Sequence, residues 1–66
     1  IALGMANAMR LRNPRLSAVQ AKRVALVSVQ AMVSLLDLAS LDPRRGSRIV
    51  EEAIAMRAAY LAPYLD

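Results

Sequence analysis

The side chains able to carry chemistry are few in this chain and badly placed for it. There is no histidine and no cysteine, and the remaining inventory is five carboxylates, one lysine, five serines and two tyrosines. Acid–base or nucleophilic catalysis ordinarily draws on a histidine, a cysteine, a perturbed lysine or two carboxylates that face one substrate. Glu51 and Glu52 are adjacent, so on a helix they point about 100° apart and cannot share a substrate. Gly4 and Gly46 are the two glycines, which leaves no glycine-rich phosphate loop. Without His or Cys, a zinc or haem site also lacks its usual ligands. These residues predict a protein that is not an enzyme and needs no cofactor.

Charge offers a second chemistry. Nine basic residues against five acidic ones give a net charge of +4. Arg10, Arg12, Arg15, Lys22 and Arg23 form one cluster, and Arg44, Arg45 and Arg48 form another. A basic stripe is the electrostatic footprint of nucleic-acid binding. Here no aromatic ring is interleaved with either cluster, and neither lies on an evident recognition helix. Solvated surface charge is the better reading, with Arg48 expected to pair with Glu51 or Glu52 at i+3 or i+4.

What must position these residues is unusually apolar. Hydrophobic residues make up 58% of the 66, yet aromatics are only 3%. A chain of this length buries only about 60% of its unfolded surface. The longest uncharged stretch of the hydrophobic run, Val24 to Leu36, is thirteen residues. A bilayer span needs about 17–25 apolar residues, so the run reads as a core helix and not as a membrane segment. Gly4, Asn7 and Arg10 interrupt any signal-peptide core. Absence of cysteine suits the cytoplasm. A first residue of Ile1, with no N-cap before it, predicts a piece of a longer polypeptide.

Three helical segments follow, at about residues 1–11, 18–40 and 43–62. The first is rich in Ala, Leu and Met and is ended by Asn13-Pro14. Ser17-Ala18-Val19-Gln20 fits a capping box for the second, a helix of about 36 Å. Asp42-Pro43 supplies an N-cap and a first-turn proline for the third, which Pro63 should stop. Two long helices joined by so short a turn must be antiparallel neighbours.

The helical wheel then asks what covers the second helix. Val24, Ala31, Leu35 and Leu38 fall on one side of it, and Ala21, Ala25, Met32, Leu36 and Ala39 extend that surface. Leu26 and Val33 lie outside, with Lys22 and Asp37. The third helix carries Ile49, Ala53, Met56 and Tyr60 at spacings of 4, 3 and 4. One neighbouring helix covers only a strip of such a surface. Fully burying each large apolar side chain is worth roughly 1.5–3 kcal/mol, so something further must pack there. The candidates are the remainder of the chain's own polypeptide or a second copy. A symmetric pair of hairpins makes a four-helix bundle. The interface residues so predicted are Val24, Ala31, Leu35, Leu38, Ile49, Ala53, Met56 and Tyr60.

Beyond composition and spacing, the stretch from Ala25 to Leu65 resembles the end of TetR-family transcriptional regulators. Ala25-Leu26-Val27-Ser28-Val29-Gln30-Ala31 and Leu35-Leu36-Asp37-Leu38-Ala39 carry the resemblance. So do Asp42-Pro43, Glu51-Glu52, Met56 and the closing Tyr60-Leu61-Ala62-Pro63-Tyr64-Leu65. The resemblance implies an all-α regulatory domain whose last two helices meet their copies in a homodimeric four-helix bundle. It also implies a small-molecule effector of unknown identity, and operator DNA bound through an N-terminal helix-turn-helix domain. No helix-turn-helix unit is visible in these 66 residues, so residues 1–66 would be a single fragment of the C-terminal domain. Residues 1–16 fall outside the resemblance. The alternative class is a helical adaptor that docks its hydrophobic face on another protein.

Overall fold

The computed structural model describes residues 1–65. Three helices form: α1 (Ala2–Arg12), α2 (Ala18–Leu41) and α3 (Gly46–Leu65). No strand occurs among the described residues. The molecule is an elongated all-α hairpin of α2 and α3, with α1 laid along one flank, and measures 42 × 19 × 13 Å.

Both breaks between helices use the same device, an Asx-Pro-Arg turn. Asn13 and Asp42 each precede a proline, and each leaves the helix at extended backbone angles, φ/ψ −129°/90° and −129°/89°. The proline ring forbids the helical region to the residue before it. Each Asx side chain then caps the turn it starts. Asn13 Oδ1 accepts from the Arg15 N–H at 3.2 Å, and Asp42 Oδ1 accepts from Arg44 N–H and Arg45 N–H, both at 3.2 Å.

At the start of α2, Ser17 Oγ accepts from the Gln20 N–H at 3.1 Å, as the sequence pattern predicts. The reciprocal bond from the Gln20 side chain is not made among the described residues. The third helix departs from expectation at both ends. It begins at Gly46 and not at Pro43, because Asp42 draws the next residues into a tight turn. The Asp42 carbonyl accepts from Arg45 N–H at 3.2 Å, and the first helical bond, Ile49 N–H to Arg45 O at 2.9 Å, follows. Nor does Pro63 stop it: the helix runs on to Leu65. Proline's fixed φ suits a helix, and its cost there is one lost bond to the carbonyl four residues back. Ala59 and Pro63 are both exposed, so water can serve that carbonyl.

The core lies at the end of the hairpin where α1 packs. Ala6 and Met9 of α1, Leu16 of the turn before α2, Ala21, Val24 and Ala25 of α2, and Leu61 of α3 form one buried cluster. Met5, Tyr60, Tyr64 and Leu65 border it, with the rings of Tyr60 and Tyr64 edge to face at 5.9 Å. Toward the opposite end, burial falls to the small residues Ala39 and Ala53. There the helices touch through Gly46, where a Cβ would sit 2.7 Å from the Ala39 carbonyl oxygen.

Candidate dimerisation surface

Two open grooves run along the hairpin, and no residue of α1 lines either one. The larger, of about 800 Å³, lies toward the α2–α3 turn. Its apolar floor is Leu35 and Leu38 of α2 with Ile49, Ala53 and Met56 of α3, and its rim carries Arg45, Arg48 and Glu52. The smaller, of about 270 Å³, continues from Met56 toward the core and includes Ala31 and Tyr60.

Seven of the eight residues expected at an interface therefore line these two connected grooves. The helical spacing explains why. Ala31, Leu35 and Leu38 succeed one another at 4 and 3 on α2, while Ile49, Ala53, Met56 and Tyr60 follow 4, 3 and 4 on α3. An antiparallel pair brings the two stripes side by side. Ala53 is the deepest of them at 2% exposure and forms the floor. Leu38 and Met56, 51% and 48% exposed, are its uncovered sides.

Val24 is placed differently. It is 3% exposed and packs in the chain's own core with Ala6, Met9 and Leu61. The helical wheel puts it on the same side as Ala31, but α1 and the end of α3 already cover it. The smaller groove also contains four residues the interface stripe did not include, Val27, Ser28, Met32 and Arg57. Val27 stands four residues before Ala31, so extending the stripe back one turn finds it. Ser28 gives no such signal. Its Oγ is buried without a hydrogen-bond partner among the described residues.

The flank occupied by α1, where Ile1 and Met5 meet Val29, Val33 and Leu36, adjoins the smaller groove and shares Ser28, Met32 and Arg57 with it. The charges also differ from expectation. The ion pair among the described residues joins Arg45 Nε to Asp42 Oδ2 at 3.9 Å, three residues apart, and Arg48 pairs with neither Glu51 nor Glu52. Both partners of that pair are well exposed, so it contributes little to stability. No group of three or more acidic, His or Cys side chains able to hold a metal occurs among the described residues.

A family model described as tetracyclin repressor-like, C-terminal domain, matches residues 1–61. The chain belongs to the TetR family. TetR-family C-terminal domains are the ligand-binding and dimerisation regions of transcriptional regulators, not enzymes. The match takes in residues 1–16, which the resemblance of Ala25–Leu65 had left out. It stops at Leu61, so the closing Ala62-Pro63-Tyr64-Leu65 lies beyond it. No curated protein and no solved structure matches the chain. By length and composition α2 is apolar enough to cross a membrane. In this TetR-like fold it is the central helix, packed on both α1 and α3.

Proposed function

We propose that this TetR-like domain is the dimerisation segment of a ligand-responsive transcriptional regulator. The grooved face of α2 and α3 receives the same face of a second copy, giving a four-helix bundle. Two helix-turn-helix heads, carried elsewhere in the parent regulator, would thereby be held at the spacing of operator half-sites. The protein works in the cytoplasm, where its operator is, and the effector acts by changing the separation of the heads.

The observation that carries this reading is the continuity of the apolar grooves from Leu38 to Tyr60 along α2 and α3, with no residue of α1 lining either. Large side chains left half exposed there, Leu38 and Met56 among them, gain roughly 1.5–3 kcal/mol each on full burial. A self-complementary surface is what a two-fold dimer requires. Alanine substitution tests it. Leu35→Ala and Met56→Ala should each weaken self-association at least tenfold, on the order of 1.4 kcal/mol. Leu26→Ala, also exposed but outside the grooves, should leave it unchanged. Equal effects from all three would contradict the assignment.

A further inference from the structure

The apolar floor of the larger groove does not explain the charge on its rim. Arg48 and Glu52 stand one helical turn apart on α3, both exposed and both lining the groove. Their i, i+4 spacing is one at which opposite charges on a helix can pair. Nevertheless, the ion pair among the described residues is that of Arg45 with Asp42. Arg48 and Glu52 thus border an apolar surface with opposite charges that their own chain does not match.

We infer that Arg48 and Glu52 fix the register of the homodimer by pairing across its two-fold axis, each Arg48 with the Glu52 of the second copy. The inference rests on the dimer proposed above. A two-fold axis normal to α3 runs the two copies of that helix antiparallel, so the numbers of opposing residues have a constant sum. An axis level with Glu52 sets two glutamates face to face, and one level with Arg48 opposes two arginines. Midway between them, level with Val50, the same symmetry makes two Arg–Glu contacts at once. Sliding one copy past the other by four residues, about 6 Å, in either direction replaces both attractions with a like-charge contact. Apolar attraction is non-directional and discriminates poorly between these positions. Exposed ion pairs add little affinity, but like charges brought together reject the wrong arrangement.

Pairing within one chain and pairing between copies are separated by mixing two charge-reversed variants. In R48E or E52R alone, every cross-axis contact becomes repulsive. In an R48E/E52R heterodimer, both contacts are again between opposite charges. Native mass spectrometry at low ionic strength would read the populations, with circular dichroism confirming equal helicity. Each variant alone should dimerise about tenfold more weakly than the wild type, there being two reversed contacts per dimer. Their equimolar mixture should contain heterodimer well above the statistical half, and added salt should erase that excess. A wild type that dimerises while the mixture stays statistical overturns the cross-axis pairing and leaves the dimer standing. A wild type that stays monomeric at every concentration overturns the dimer and the pairing together.

Discussion

The side-chain amide of Asn13 donates to the main-chain carbonyl of Tyr64 at 2.7 Å, across 51 residues of sequence. This bond ties the turn between α1 and α2 to the last turn of α3, where helix carbonyls have no partner of their own. Asn13 Oδ1 meanwhile holds the Arg15 N–H. The residue at which α1 ends thus shapes the turn with its side chain and caps the end of α3.

Asn13→Asp separates those roles. An aspartate can still accept from Arg15, but it sets an acceptor against the Tyr64 carbonyl. Chemical denaturation should show a loss of about 0.5–1.5 kcal/mol, the net worth of one hydrogen bond, and faster amide exchange at the end of α3. Unchanged stability would show that this tie contributes nothing.

The two glycines should respond in opposite directions to alanine. At Gly46 a Cβ would lie 2.7 Å from the Ala39 carbonyl oxygen, a backbone atom that cannot swing aside. Gly46→Ala should therefore cost about 1–3 kcal/mol of overpacking, outweighing the better helix propensity of alanine. Gly4 has no atom within 4 Å of the added Cβ and sits in α1. Gly4→Ala should raise stability by about 0.5–1 kcal/mol. Thermal melts of the two variants check both signs.

How far the sequence led is clear from these same residues. Asn13-Pro14, Ser17 and Asp42-Pro43 mark the helix boundaries because each acts on backbone groups within three or four positions. Gly46 reads in sequence only as a weak helix former, since its close neighbour, Ala39, is set by how two helices cross. Pro63 reads as a stop because proline commonly is one, whereas an exposed last turn tolerates it. Val24 shows the limit of periodicity most directly. A helical wheel states which side a residue faces but not which element covers that side, and α1 covers Val24 while leaving Leu35 and Leu38 to the groove.

Ser28→Ala should not destabilise the protein. The hydroxyl is 4% exposed and has no partner among the described residues, so it carries a desolvation cost with no bond to offset it. Removing one oxygen should leave stability unchanged or raise it by up to about 1 kcal/mol, in a denaturant titration of the two proteins. A loss larger than that would mean that Ser28 Oγ finds a partner in solution.

Self-association of the chain tests the central claim most directly. Sedimentation equilibrium of the wild-type protein, from about 1 μM to about 1 mM, spans association free energies of roughly 4–8 kcal/mol. The grooved face of α2 and α3 predicts a reversible monomer–dimer equilibrium within that range, with no larger species, because a two-fold contact closes on itself. A single species at monomer mass throughout, or open-ended aggregation, would contradict it.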